Sequence, residues 1–259
     1  MSNAILKNRV INQSVLDNLP GCVIAPYQFY NWELLKSITL PENLTYTCPY
    51  GLSCKTNGYV KTITCNSNLK VLLSGAFPLD GLIKVIDLNN GLEFIGTSMF
   101  KNYNVTSNFK LPDSVQYVSD ETFYSSKIVS FDWSKNCTRI SASVFYNNTN
   151  LTSITNLDNV HFIEDNAFYN CTSLTSIYLP NVRTLGTNTF YGCTALTTIT
   201  LGPELTSLSY NTFQRCTSLT TINVMGDENC ITAQTLQATH PSYYNNATIV
   251  YNYTPPESE

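Results

Sequence analysis

Charged residues and histidine are scarce in this chain of 259 residues. Asp, Glu, Lys and Arg make up 12% of it, with 14 basic residues against 18 acidic ones, and there are 2 histidines. An average soluble domain carries about 25% charged residues. The basic residues are scattered, so we expect no nucleic-acid binding, which needs clustered positive charge. A Gly-rich phosphate loop, a nucleophile elbow and metal-ligand spacings are also missing, so we expect no enzyme, no catalytic residues, no cofactor and no metal site.

Long apolar runs are missing as well. No stretch of about 18 apolar residues exists, so we expect no insertion into a membrane. Residues 1–9 lack the apolar segment of a secretory signal peptide, and the compartment therefore stays open between an exported protein, a phage virion protein and a cytoplasmic one.

Phenylalanine recurs with a nearly constant period, which is the main feature that the sequence does possess. The successive spacings are 23, 23, 22, 23, 22 and 23 residues, and Phe29 lies two further periods upstream with Cys54 between. A period of this length is the signature of a repeat architecture. The repeating residues are Phe77, Phe100, Phe123, Phe145, Phe168, Phe190 and Phe213.

The residues around each phenylalanine predict the path of one repeat unit. Counted from the Phe, apolar residues fall at +6, +9 and +11 with polar ones at +8 and +10, and two more apolar residues fall at −8 and −5. The alternation from +8 to +11 is that of a strand with one buried face. One unit of 22 or 23 residues cannot bury this face alone, so the units must stack as coils of a solenoid.

The two clearest copies read A-F-Y-N-C-T-S-L-T-S-I-Y-L-P, beginning at Ala167, and T-F-Y-G-C-T-A-L-T-T-I-T-L, beginning at Thr189. They resemble the BspA-like, or Treponema pallidum-type, leucine-rich repeat family, with a similarity that runs from about Gly21 to Gly226. The resemblance implies a curved array, mainly β with short irregular or 3-10 return segments. It also implies non-enzymatic binding, often to a host or cell-surface protein, and a location at a cell surface or outside the cell. From the polar surface described below we expect a protein or glycan partner.

Three departures from the family pattern are local, one of them the sequence Asn108-Phe109-Lys110, which breaks the usual Leu-x-x-Ile phrase. Cys54 stands where a Phe is expected, and the unit of Phe123 is one residue short, so that Phe131 and Trp133 take its strand positions.

The ends of such an array need covers, since the terminal coils would otherwise expose core and unpaired strand edges. We expect an N-terminal cap over 1–20, the repeat solenoid over 21–230 and a C-terminal cap over 231–254. The C-terminal cap is predicted to hold a short helix, N-capped by Thr232, followed by a strand at 248–251. Residues 255–259 are expected to form a flexible tail.

The cysteines have a structural interpretation. Cys171, Cys193 and Cys216 share position +3, where a free thiol acts as a small buried hydrophobe. Four others, at 22, 48, 54 and 65, could pair if the protein is exported, whereas reduced thiols suit a chain without an export signal.

The outward strand residues at +8 and +10 form the candidate binding surface, on the face that the resemblance makes concave. Most are Ser or Thr, but charged and aromatic residues interrupt the +10 column. The alternating charges in this column either contact a binding partner or neutralise each other across neighbouring strands. The candidate ligand-binding residues are Asp87, Lys110, Asp132, Thr155, Tyr178 and Thr200.

A second candidate surface follows from the tyrosines next to the repeating Phe. Stacked coils would bring them into a ladder with a spacing of about 4.8 Å, which either stiffens the array or forms an aromatic binding strip. Its members are Tyr124, Tyr146, Tyr169 and Tyr191.

Three functions fit the sequence. The first is a binding or adhesion module that uses the concave polar surface. The second is an architectural protein of a phage virion or cell surface. The third is an ice-binding solenoid, suggested by Thr-x-Thr phrases such as Thr62-Ile63-Thr64, although curvature and the central charges oppose a flat ice-matching plane.

Overall fold

The computed structural model describes residues 10–11, 14, 23–24, 26, 33–34, 37–50, 55–56, 62–76, 85–104, 108–209, 211–238, 244 and 247–255. Most of the predicted N-terminal cap and residues 256–259 of the predicted tail lie outside these ranges. So do Phe29, Phe77, Cys22, Cys54 and His240.

The chain forms a solenoid of parallel strands, as the repeat predicts. The strands at +8 to +11 of neighbouring units pair in parallel within three successive sheets of one column; Ile177 faces Ile199, and Ile199 faces Ile222. We call this column of strands the front sheet; it is the face that the sequence analysis makes concave. Its members are β4 (Ser37–Thr39), β7 (Thr62–Thr64), β9 (Val85–Asp87), β11 (Phe109–Lys110), β13 (Ser130–Asp132), β15 (Ser153–Thr155), β17 (Ser176–Leu179), β19 (Thr198–Leu201), β20 (Thr221–Val224) and β21 (Thr248–Val250).

The return path carries a second parallel column, the back sheet, where the sequence analysis expected irregular or 3-10 segments. Its strands are two residues long, and the second residue of each described pair points into the core. They are β2 (Val23–Ile24), β5 (Tyr46–Thr47), β8 (Val71–Leu72), β10 (Phe94–Ile95), β12 (Tyr117–Val118), β14 (Arg139–Ile140), β16 (Phe162–Ile163) and β18 (Thr184–Leu185). A shorter column at the N-terminal end consists of β1 (Val10–Ile11), β3 (Glu33–Leu34) and β6 (Lys55–Thr56).

The repeating phenylalanines fill the interior between the two sheets. Phe168 is fully buried, and its ring stacks on those of Phe145 and Phe190 with both centroid distances at 5.3 Å. Phe131 and Trp133 are also buried, which confirms that they take the strand positions of the shortened unit. The core is therefore one continuous aromatic column flanked by the apolar residues of both sheets.

A third set of hydrogen bonds joins the coils at the Phe corner. The amides at −2, 0 and +2 of one unit donate to carbonyls of the next, as when Phe145 N donates to Ala167 O at 2.8 Å. Residues at −2 and +2 hold positive φ, for example Asn166 at 56° and Asn170 at 55°. Asn tolerates this left-handed conformation better than most residues, which accounts for its frequency at the corner.

The C-terminal end contains the predicted short helix and strand. The helix, α1 (Ile231–Gln237), begins after Cys230, whose sulfur accepts from Ala233 N at 3.4 Å. The prediction that Thr232 caps it is wrong, because this residue is inside the helix and its buried hydroxyl bonds Gly202 O and Leu205 N instead. Strand β21 pairs with β20 and extends the front sheet by one strand. The boundaries of both caps stay predictions.

Candidate functional site: a groove on the front sheet

The six candidate residues of the front sheet fall into separate groups. Lys110, Asp132 and Thr155 are neighbours on three paired strands, and the Thr155 hydroxyl donates to Asp132 Oδ1 at 2.6 Å. Tyr178 and Thr200 are paired on the next two strands. None of the ion pairs among the described residues joins charges of the front sheet, so the alternating charges there do not form salt bridges with each other.

Two depressions divide these residues. Asp87 and Lys110 line a small one of about 320 Å³, together with Asn90 and Pro112. A larger groove of about 830 Å³ lies over the C-terminal half of the front sheet. The structure therefore brings Thr155, Tyr178 and Thr200 into one groove and leaves Asp87, Lys110 and Asp132 outside it. The groove is lined by Ser153, Ile154, Thr155, Asn156, Asp158, Ser176, Ile177, Tyr178, Thr198, Thr200, Asn223, Tyr253 and Pro255.

The end of the chain builds one wall of this groove. After β21 the backbone turns at Asn252, whose φ is 54°, and Tyr253 N donates to Val224 O at 3.0 Å. The following residues, Tyr253 and Pro255, line the groove. Pro255, which the sequence analysis assigned to a flexible tail, thus belongs to this wall.

The wall changes the exposure of residues at the C-terminal end of the sheet. Thr200 and Asn223 occupy outward positions of the strand pattern, yet each is only 7% exposed. The sequence analysis placed Thr200 on an open surface, whereas the structure places it at the floor of a groove. Tyr178, one strand away, remains 38% exposed. The groove therefore has a buried polar floor and an accessible aromatic residue beside it.

The electrostatics of the groove are mildly acidic. Partial burial raises the pKa of the Tyr178 phenol, and the nearby Asp158 carboxylate and Tyr253 phenol raise it further. Asp158 is the one acidic side chain among the lining residues that the structure describes, and they include no Lys, Arg or His. The groove is consequently suited to neutral hydrogen-bonding groups and disfavours anions.

The tyrosine ladder exists as the sequence predicts. Neighbouring rings of Tyr124, Tyr146, Tyr169 and Tyr191 lie 4.7, 4.6 and 4.7 Å apart, with interplanar angles of 5° or less. Lys101 Nζ lies 4.4 Å from the centroid of the first ring, and the Arg215 guanidinium lies 5.4 Å from that of the last. Each ring face is thus covered by another ring or by a cation, which leaves edges and hydroxyl groups for any ligand.

The sequence of the chain matches a known repeat family. A family model described as the BspA type leucine rich repeat region matches residues 12–129 and 138–246, in six copies. The chain belongs to this family. The match covers most of the chain and confirms the resemblance on which the fold prediction rested.

Two solved structures of leucine-rich repeat proteins show the same fold. A leucine-rich repeat protein of Bacteroides ovatus is 22% identical with a TM-score of 0.55, over 94% of this chain and 75% of that one. The leucine-rich repeat protein of Treponema pallidum is 18% identical with a TM-score of 0.51, over 73% of this chain and 77% of that one. No curated protein matches the sequence.

Position +3, which recurs as a small or polar residue among the units, has a defined structural role in this member of the BspA-type family. The thiols of Cys171, Cys193 and Cys216 donate to the carbonyl oxygen of the Phe in the preceding repeat unit at 3.0–3.1 Å, and Asn148 makes the same bond through its amide. Burial raises the pKa of the Cys193 and Cys216 thiols.

Within the described residues, no group of three or more His, Cys, Asp or Glu is arranged to hold a metal. In the same residues, no helix has the length and apolar character needed to cross a membrane.

Several residues of the groove escaped the sequence analysis. Asn156 occupies +11, where other units place an apolar residue, and with φ at 61° it lets Leu157 fill the core position instead. This polar residue in an apolar column is a feature of the sequence from which the groove residue could have been predicted. Asp158 in the turn and Tyr253 beyond the last repeat carry no such signal, because neither belongs to a column of the front sheet.

Proposed function

We propose that this chain is a non-enzymatic binding or adhesion module that presents its front sheet to a protein or glycan partner. The observation that carries the proposal is the groove over β15, β17, β19 and β20, whose hydroxyl, amide and phenol groups point away from the core. In a solenoid, stability comes from the inward residues and the contacts between coils. The outward residues of the front sheet are therefore free to serve recognition.

The composition of the surface supports binding over catalysis. Enzyme sites hold paired acids, bases or nucleophiles within hydrogen-bond reach of each other. The groove offers Asp158 as its one described carboxylate, with hydroxyl and amide groups around it. Such a surface supplies many weak hydrogen bonds, which suits recognition of a polar partner. A cell-surface location would suit adhesion and is part of the proposal.

Arrays of glycans and of secreted or cell-surface proteins, probed with the purified chain, test this function. Tyr178→Ala and Asp132→Asn should weaken binding at least fivefold while leaving the melting temperature within about 1 °C, because Tyr178 is exposed and Asp132→Asn keeps the shape of a half-buried side chain on the outward face. Tyr146→Ala, on the tyrosine ladder, is the matched control and should bind normally. Failure to bind any probe on either array would contradict the proposal, and loss of binding in Tyr146→Ala alone would move the site to the ladder.

A further inference from the structure

We infer that the groove between Tyr178 and the C-terminal segment binds a neutral oligosaccharide, an inference that rests on the proposed function and names its ligand class. The observation is the juxtaposition of two tyrosines, Tyr178 and Tyr253, with the side chains of Asn156 and Asp158 over a floor of hydroxyl groups. These elements come from the strands of the front sheet, the turn after β15 and the segment after β21.

The dimensions of the groove suit a ligand of a few sugar rings. Its volume of about 830 Å³ lies within the range of roughly 300–1,000 Å³ that is typical of sites for small molecules. A specific protein partner requires about 800 Å² of contact surface on each side. A concave site walled by Tyr253 and Pro255 restricts such a broad contact, whereas a short glycan can lie along the groove.

The two tyrosines supply the surfaces that a sugar ring packs against. A phenol ring presents an apolar face together with a polar hydroxyl group, and a pyranose likewise combines C–H faces with hydroxyl groups. In the part of the chain that the structure describes, neither Tyr178 nor Tyr253 is stacked on another aromatic ring, unlike the members of the tyrosine ladder. Tyr178 is 38% exposed, so its ring is accessible to a ligand in the groove, and Tyr253 lines the same groove.

The polar groups of the groove match the hydroxyl groups of a sugar. Ser and Thr hydroxyls donate and accept, an Asn amide does both through different atoms, and a carboxylate accepts in pairs. No described residue donates a hydrogen bond to the Asp158 carboxylate or the Asn156 amide oxygen, so both can accept from a ligand. A further floor of hydroxyls is provided by Ser153, Ser176 and Thr198.

The charge of the groove selects neutral glycans over anionic ones. The described lining holds the Asp158 carboxylate and no basic side chain, so a sulfated or phosphorylated chain would meet repulsion without compensation. The Tyr178 hydroxyl is protonated at neutral pH, as in any tyrosine, and remains a donor; burial and the Asp158 carboxylate raise its pKa further. This also separates the inferred ligand from nucleic acids and acidic peptides.

A glycan array with neutral and acidic oligosaccharides tests the inference, together with dextran and dextran sulfate in solution, a pair that shares one polysaccharide backbone and differs in charge. We expect retention of at least one neutral glycan and no preference for dextran sulfate over dextran. Tyr178→Ala and Tyr253→Ala should each reduce affinity for the retained glycan at least tenfold. Asp158→Asn, which removes the charge but keeps the shape of the side chain, should also reduce this affinity. Tyr117→Ala is the matched control, because this tyrosine is 43% exposed on the back sheet.

The outcomes separate this inference from the proposed function. No retained neutral glycan, a preference for acidic glycans, or equal affinity in all variants would overturn the inference. If the protein array gives a partner whose binding depends on Tyr178 or Asp132 while every glycan fails, the inference falls and the binding function stands. If both arrays fail, both fall. Unchanged circular dichroism of Tyr253→Ala shows that any lost affinity reflects the groove rather than misfolding.

Discussion

The aromatic column predicts a sharp difference between two adjacent residues, Phe168 and Tyr169. Phe168 is fully buried, so truncation to Ala leaves a cavity in the core and should lower the free energy of unfolding by about 3–5 kcal/mol. Loss of its two stacking contacts, with Phe145 and Phe190, places the value toward the upper end. Tyr169→Ala also removes two stacks, with rings at 4.6 and 4.7 Å, but it opens no interior cavity and should cost about 1–2 kcal/mol.

Urea unfolding, followed by far-UV circular dichroism and tryptophan fluorescence, measures this difference. Phe190→Ala is a second core variant and should match Phe168→Ala, since both rings occupy equivalent positions in the column. Phe168→Leu keeps an apolar side chain and should lose about 1–2 kcal/mol, which guards against complete unfolding of the alanine variants. Equal losses at Phe168, Phe190 and Tyr169 would refute the assignment of the interior and edge columns.

Two further predictions concern the thiols and a close approach between coils. Burial raises the pKa of the Cys193 and Cys216 thiols above the ordinary value of 9.0, so the folded chain keeps protons that the unfolded chain releases above about pH 9. The free energy of unfolding should therefore fall by about 1 kcal/mol per buried thiol between pH 9 and pH 10. The fall should be less steep in Cys193→Ala, which lacks one of these thiols. The same pH dependence in Cys193→Ala and the unsubstituted protein, or rapid thiol labelling of the native protein, would contradict the burial of the thiols. A Cβ on Gly202 would overlap the carbonyl oxygen of Pro180, so Gly202→Ala should cost about 1–3 kcal/mol. Melting temperatures check this against Gly91→Ala, where the nearest atom lies 3.0 Å away; equal temperatures would show that the coils have room.

The front sheet and the core could be predicted because every coil repeats the same physical requirement. A residue between two coils must be apolar at the same place in each unit, so the period and the +9 and +11 columns follow from stacking alone. Even the shifted unit obeys this rule, since Phe131 faces Ile154 across the strands and is buried. The back sheet escaped prediction because strands of two residues, such as Phe94–Ile95, are too short to show an alternating pattern.

The C-terminal features depend on contacts that the local sequence does not contain. The side chain of Thr232 resembles an N-cap, but its hydroxyl is used by Gly202 and Leu205, some 27 to 30 residues away in the chain. Cys230 caps α1 in its place. Tyr253 reaches the groove only because the backbone turns at Asn252, and this turn has no counterpart in the repeat.

The hydrogen bonds between coils explain why residues that recur in every unit identify the fold, whereas residues that depart from the repeat pattern identify the candidate site. The two sheets and the Phe corner are joined mainly through backbone groups, and the donors at +3, such as Cys193, lie inside. Outward side chains are then unnecessary for stacking, so an outward residue that recurs in register is explained by contact with its own copies, as the tyrosine ladder shows. Among the unshifted units from Phe77 to Phe213, Tyr178 is the one aromatic residue at +10 and Asn156 is the one polar residue at +11. Both line the groove that Tyr253 completes, and these departures gain nothing for the stacking of coils. The groove, rather than the ladder, is therefore the surface on which a partner should be sought first.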